Sequence, residues 1–145
     1  MENKKYELTD ETKEYGVCTL HRIRALRDFG DVKKGDLGGW IESEDNLSHE
    51  GNCWVYDNAK VSDNARVFGS ARVSGNARAC DNAEVYDNAR VSRNAEVSGN
   101  AKVCDKARVY GKARVSGNAR ACGNAKVYGD VWVSGNACSF EVIKK

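Results

Sequence analysis

A repeat of six residues runs through most of the chain and constrains its fold more than any other feature. Between residues 53 and 142, fifteen consecutive hexads have Ala at position one thirteen times and Val at position three twelve times. Position five is Gly or Asp thirteen times, and position six is Asn ten times. A repeat this strict predicts an architecture in which each unit buries its apolar side against copies of itself.

The composition of each hexad predicts a short strand followed by a corner. A period of six excludes an amphipathic helix, in which apolar residues recur at intervals of three and four. Apolar positions one and three alternate with charged and polar positions two and four, which is typical of a strand. Gly and Asn adopt a positive φ at little cost, so positions five and six predict a corner in every hexad. The interior is then narrow, because it accepts only Ala and Val.

This pattern resembles the bacterial hexapeptide-repeat superfamily, whose fold is the left-handed parallel β-helix. The signature covers about two-thirds of the chain. The resemblance implies an all-β triangular solenoid of about five to six coils, with three hexads in each coil. Equivalent positions then recur every eighteen residues.

The hexad phase extends further back than the Ala and Val signature. Ile41 and Leu47 lie in hexad register with Cys53, which predicts a degenerate first coil. We therefore expect an N-terminal cap over residues 1–34, the β-helix over 35–142 and a tail over 143–145. A solenoid needs such a cap because its open end exposes core and unpaired strand edge.

Residues 20–48 resemble the head segment of an uncharacterised subset of hexapeptide proteins from Firmicutes and their prophages. That subset has no agreed activity, so the resemblance implies a context and not a mechanism. In that context we expect a factor encoded by a phage or prophage that binds a host or phage protein.

The composition points to the cytoplasm. The sequence has a net charge of +2, no Pro and six Cys. Residues 1–5 lead into Tyr6-Glu7-Leu8 and not into an apolar run, which predicts no export signal. Cys104 and Cys122 are eighteen residues apart, close enough after stacking for a disulfide, but a cytoplasmic chain favours free thiols. No Cys/His cluster with zinc spacing occurs, so we expect no metal and no cofactor.

Catalysis is the weaker hypothesis from the sequence. Many members of the resembled superfamily are acyltransferases that use acyl-CoA, with a His near a subunit interface as general base and a loop that shapes the site. Here the two His, His21 and His49, lie outside the regular repeat, and no insertion interrupts residues 53–142. His49 falls on a predicted inward position, which favours a packed structural role over a base. An acyltransferase that uses His49 or His21 stays as the alternative.

The outer faces are the better candidates for binding. With a period of eighteen, one face stacks basic residues without an acid and carries aromatic rings beside them. This face suits an anion or a nucleic-acid backbone, although a solvated row that only keeps the strands soluble is the simpler interpretation. Its candidate binding residues are Arg72, Arg90, Arg108, Lys126, Tyr110 and Tyr128.

A second face is the most apolar and carries Phe68, Tyr86 and Phe140. It is either an oligomer interface, because aromatic residues are enriched in interface cores, or the seat of the N-terminal segment. The last coil is a second candidate contact between copies. The predicted function is a non-catalytic, rigid module that presents flat faces to a macromolecule. A protein partner is favoured over nucleic acid, and no membrane contact is expected.

Overall fold

Short strands separated by corners make up most of the structure, a computed structural model that describes residues 4–136, 138–139 and 142–144. Two long strands come first, β1 (Tyr6–Tyr15) and β2 (Cys18–Ala25), followed by β3 (Leu37–Ile41) and one 3₁₀ turn, η1 (Glu44–Asn46). The described residues contain no α-helix, and none of them forms a helix able to cross a membrane. The short strands that follow are β4 (Trp54–Val55), β5 (Lys60–Val61), β6 (Arg66–Val67), β7 (Arg72–Val73), β8 (Arg78–Ala79), β9 (Glu84–Val85), β10 (Arg90–Val91), β11 (Glu96–Val97), β12 (Lys102–Val103), β13 (Arg108–Val109), β14 (Arg114–Val115), β15 (Arg120–Ala121), β16 (Lys126–Tyr128), β17 (Trp132–Val133), β18 (Cys138–Ser139) and β19 (Val142–Lys144).

These strands stack into three sheets. The eight-stranded sheet has the order β1-β2-β3-β5-β8-β11-β14-β17, the six-stranded sheet β19-β16-β13-β10-β7-β4, and the five-stranded sheet β18-β15-β12-β9-β6. Along the repeat the pairing is parallel and joins residues eighteen apart, as in Arg90 with Arg108 and Glu96 with Arg114. The prediction of a parallel β-helix with three hexads per coil is therefore confirmed, with about five turns. The left-handed sense of the coil stays a prediction.

The interior and the corners follow the sequence pattern. From residue 59 to residue 127, the Ala and Val side chains at positions one and three are at most 1% exposed. The backbone N–H groups of each coil donate to the next coil, as from Arg90 to the Ala107 carbonyl at 2.9 Å. Position five adopts a positive φ in every described hexad, which is the conformation that lets the chain turn after two strand residues.

The first coil is longer than the sequence phase predicted. Ile41 pairs with Val61, and Leu47 forms a bridge with Val67, so each is displaced by twenty residues and not eighteen. Both residues thus occupy position three, and their predicted register with Cys53 is wrong. Gly51 stacks directly against the backbone of Gly69 at the next corner. The two additional residues therefore lie between Leu47 and Gly51.

A buried amide takes the place of a strand in this first coil. Asn46 is fully buried, and its Nδ2 donates to the carbonyls of Ala65 at 2.8 Å and Asp63 at 3.2 Å. Its Oδ1 accepts from the backbone N–H groups of Glu42 and Ser43 at 3.0 and 2.9 Å. The side chain thus satisfies backbone groups that a β-ladder would otherwise pair.

An antiparallel hairpin closes the N-terminal end. β1 pairs with β2, and β2 pairs with β3, so the hairpin extends the eight-stranded sheet beyond its first parallel strand. Tyr6 and Phe29 pack edge-on against the buried Trp54, at 6.1 and 5.2 Å between ring centroids. These rings cover the open end of the core.

Strand pairing at the opposite end continues to the last described strand. β19 pairs in parallel with β16, so this pairing reaches Lys144. Phe140, one of the predicted contact residues, lies outside the described residues. The division of the chain at residues 34 and 142 stays a prediction.

We expect Val97→Asp to lower the free energy of unfolding by about 3 kcal/mol or more, because it buries an unpaired charge in the Val interior. Val97 is fully buried, whereas the neighbouring Ser98 is only half-buried on the outer side. Thermal or urea melts of Val97→Asp and the control Ser98→Asp measure the difference. Equal stability of the two variants would contradict the inward placement of position three.

Candidate binding face

The six-stranded sheet carries a column of basic side chains on its outer side. Position-two residues stack in register from coil to coil, and neighbouring strands of a sheet lie about 4.8 Å apart. The register confirms that these residues share one face. In chain order the column is Trp54, Arg72, Arg90, Arg108 and Lys126.

Each of the other two sheets has one glutamate among its stacked basic residues, whereas this column contains no acid. On the eight-stranded sheet Glu96 lies between Arg78 and Arg114, at 4.0 and 3.9 Å from their guanidinium nitrogens. On the five-stranded sheet the Lys102 ammonium lies 3.8 Å from Glu84. Like charges directly opposite each other destabilise a sheet, so these acids offset a repulsion. In the described part of the chain, Arg90 and Arg108 have no carboxylate within 4.0 Å.

Asp31 neutralises the N-terminal end of the column. Asp31, in the loop between β2 and β3, lies 3.8 Å from the Arg72 guanidinium and accepts a hydrogen bond from the Tyr56 hydroxyl at 2.8 Å. The hydrogen bond from Tyr56, with the Arg72 charge, holds the pKa of Asp31 below its usual value. Burial and the same hydrogen bond raise the pKa of Tyr56 to about 12. Asp31 also attracts the Arg90 charge beyond 4.0 Å, so Arg90 and Arg108 are arginines of this column without a close ion pair in the described residues.

Two adjoining clefts follow this column. The first has a volume of about 260 Å³ and is lined by Tyr56, Asp57, Arg72, Ser74, Arg90 and Ser92. The second, of about 290 Å³, is lined by Arg90, Ser92, Arg93, Arg108 and Tyr110. Guanidinium and hydroxyl groups are donors, so the second cleft is a surface for anions.

The predicted tyrosines stack beside this cleft. The rings of Tyr110 and Tyr128 lie 5.0 Å apart with an angle of 3° between their planes. The structure thus brings together all six predicted binding residues on one sheet. It adds Arg93 and Asp31, which the sequence did not predict there. Arg93 was detectable as the one corner between residues 57 and 135 that is neither Gly nor Asp.

The aromatic pair of the five-stranded sheet is also stacked, with Phe68 and Tyr86 at 4.9 Å and 2°. The hairpin lies elsewhere, since Tyr15 approaches Lys60 and Arg78 of the eight-stranded sheet at 5.8 and 5.3 Å. These contacts do not support the alternative that the face of Phe68 and Tyr86 seats the N-terminal segment. Its role as an oligomer contact stays a prediction.

His49 has a packed position, although not the inward one that the sequence phase predicted. It lies in the longer stretch of the first coil, and its ring stacks on Tyr6 at 4.1 Å. Its Nδ1 accepts the Lys5 backbone N–H at 3.1 Å, and its Nε2 lies 2.7 Å from Oε1 of Glu44. Both ring nitrogens therefore have protein partners. His21 is half-buried on β2, opposite Ile41.

A buried lysine lies beside this histidine. Lys5 is fully buried, and its Nζ donates to the Cys53 carbonyl at 2.7 Å and to the Gly51 carbonyl at 3.3 Å. Burial lowers the pKa of Lys5 and raises the pKa of the Cys53 thiol. No local sequence signal identified Lys5, because its partners are about fifty residues away in the chain.

The coil spacing also brings thiols together. Sγ of Cys104 lies 2.9 Å from Sγ of Cys122, and both side chains are buried. A carboxylate oxygen of Asp105 lies within 4.8 Å of both sulfur atoms. These three residues are donors for a soft or borderline metal ion, a grouping absent from the sequence prediction. Elsewhere, burial raises the pKa of Cys80 to about 11.

Comparison with known proteins identifies the repeat. A family model described as the YdcK β-solenoid repeat matches residues 59–75, 83–99 and 101–123. The uncharacterized acetyltransferase YdcK of Escherichia coli strain K12 is 40% identical over 62 residues. That match covers 37% of this chain and 19% of the relative. The chain therefore spans about a fifth of the length of this relative.

We expect Glu44→Gln to lower the melting temperature at pH 7 and to have little effect near pH 3. Burial opposes ionisation of Glu44, but hydrogen bonds with His49 and Lys4 outweigh it and lower its pKa. A carboxyl with a depressed folded-state pKa stabilises the fold above its unfolded value of about 4.3, and that stability is lost as the pH falls through the folded pKa. Melts of both proteins from pH 7 to pH 3 measure this. A constant gap would contradict the ionic role of Glu44.

Proposed function

The chain belongs to the hexapeptide-repeat type of β-helix proteins, and from that premise we propose that it is a non-catalytic binding module. Its basic column receives an acidic surface of a protein partner. The observation that supports this most is that Arg90 and Arg108 have no carboxylate within 4.0 Å among the described residues, on a molecule whose two other sheets each place one glutamate among their stacked basic residues. An acidic partner supplies the missing carboxylates.

The geometry of the sheet suits a protein surface. The column is fixed by hydrogen bonds between parallel strands, so its side chains start from a rigid base. A rigid base lowers the entropy lost on binding. The stacked Tyr110 and Tyr128 add a flat aromatic area, and Tyr and Arg are the residues enriched in binding hot spots.

The proposal also covers the origin, the location and the oligomeric state of this module. The resemblance of residues 20–48 to prophage-type head segments supports a factor of phage or prophage origin that acts in the cytoplasm. A homo-oligomer formed through the face of Phe68 and Tyr86, or through the last coil, would leave the basic column free. Size-exclusion chromatography with light scattering measures that state directly.

An acyl-CoA-dependent acyltransferase is the second candidate, because the E. coli relative is named an acetyltransferase. It has less support, because the match covers a fifth of that protein and both nitrogens of His49 have protein partners. The nitrogen that a general base needs for its substrate is therefore occupied.

For the binding module we expect partner capture to depend on the column. Nuclease-treated lysate at about 0.15 M salt, where exposed charges are strongly screened, is passed over wild type, Arg90→Gln/Arg108→Gln and Arg114→Gln/Arg120→Gln. The two double variants have the same net charge. An acidic protein should be retained by wild type and by the second variant only. Equal capture by all three baits would contradict the proposal.

Nucleic acid provides the opposing test. We expect no binding of single-stranded or duplex DNA at about 0.15 M salt, because a few exposed charges are insufficient there. Fluorescence anisotropy measures it. Submicromolar affinity that is lost in both Arg90→Glu/Arg108→Glu and Tyr110→Ala would replace the protein partner with nucleic acid.

For the enzyme alternative we expect millimolar acetyl-CoA to leave the melting temperature unchanged. A ligand that binds the folded state raises this temperature by mass action. A clear rise in wild type that His49→Ala abolishes would favour the acyltransferase over the binding module.

A further inference from the structure

One corner of the solenoid departs from the repeat. Between residues 57 and 135, position five is Gly or Asp in every hexad except at Arg93. Arg93 has a φ of 61°, in the left-handed region. This conformation is unfavourable for a residue with a long side chain, whereas Gly adopts it freely and Asp is several-fold enriched there. The fold itself therefore gains nothing from an arginine at this corner.

Arg93 also lacks a hydrogen bond that the Asp corners make. The carboxylates of Asp57, Asp81 and Asp105 accept the backbone N–H of the corner eighteen residues further on, at 3.1, 3.0 and 2.9 Å. A guanidinium group has no acceptor atom. Arg93 thus offers nothing to the N–H of Gly111, the next corner in its column.

Arg93 lies at a cleft in the basic column. It lines the cleft of about 290 Å³ together with Arg90, Arg108, Ser92 and Tyr110. The corners above and below it are Gly75 and Gly111, so no side chain competes for this space. Three guanidinium groups and two hydroxyls line the same cleft.

We propose that Arg90, Arg93 and Arg108 form a site for a phosphoryl group carried by a side chain of the protein partner. The inference rests on the proposed function and names the group that this surface recognises. A phosphoryl group carries a charge of about −1.5 to −2 and three terminal oxygens, whereas a carboxylate carries −1 and two. Three guanidinium groups exceed what one carboxylate neutralises. The hydroxyls of Ser92 and Tyr110 supply further donors.

The first test separates this role from a structural one. Arg93→Gly introduces the residue that adopts this φ freely. Arg93→Asp introduces a residue that tolerates this φ and provides an acceptor for the Gly111 N–H. Both variants should melt at or above the temperature of wild type. A lower melting temperature in both variants would assign Arg93 to the fold and overturn the proposal.

The second test measures binding. A capped glycine-serine peptide with one phosphoserine is titrated at about 0.15 M salt, followed by the NMR signals of the arginine side chains. Affinity should fall at least tenfold in Arg93→Gly and vanish in Arg93→Asp. The control Arg120→Gln, which removes one positive charge from the five-stranded sheet, should stay within twofold of wild type. Peptides with serine or glutamate in place of phosphoserine should not bind.

The outcomes distinguish the two proposals. If Arg93→Gly binds the phosphopeptide as wild type does, the phosphoryl site is wrong, while loss of partner capture in Arg90→Gln/Arg108→Gln still supports the basic column. Equal binding of the glutamate peptide overturns the phosphoryl class. Binding of inorganic phosphate or an oligonucleotide through Arg93, without binding of the phosphopeptide, overturns the protein source.

Discussion

The parallel hydrogen-bond ladder between coils is the interaction on which the rest of this structure depends. Along the regular coils it fixes the neighbours of each strand residue as the residues eighteen positions before and after it. Because the sequence itself repeats, each residue tends to stack on one of its own kind. Such stacking is favourable for Ala and Val, which fill the interior, and unfavourable for charges.

The outer columns resolve this self-stacking in different ways. Glu96 separates two arginines, the rings of Tyr110 and Tyr128 lie flat on each other, and corner amides bond in a row, as from Asn82 to Asn100 at 3.2 Å. Asn ladders of this kind also stabilise other cross-strand stacks. Arg90 and Arg108 stack on each other with no carboxylate within 4.0 Å among the described residues. Their repulsion is the feature that an anionic partner would relieve.

Much of this architecture was predictable from the sequence, because the repeat is local. Strands, corners and columns follow from one hexad and a period of eighteen, and so does the grouping of the basic residues. The hexad position of Ile41 was not predictable. The two additional residues between Leu47 and Gly51 make the distance from Leu47 to Cys53 six residues, so Ile41 and Leu47 look like position one although they occupy position three. Lys5 was not identified, and the inward position predicted for His49 was wrong, for another reason. Their environment depends on how the hairpin folds back, which no neighbouring residue encodes.

The longer first coil has a consequence for the order in which the chain assembles. The hexads are nearly interchangeable, so a segment displaced by one whole coil would bury the same Ala and Val and find equivalent hydrogen bonds. Only the stretch from Leu47 to Gly51, with Asn46 and the hairpin packed around it, fits at one place. That irregular coil sets the register of the coils that follow it. Coils that stack upon it inherit a single register, and slipped isomers with identical cores are avoided.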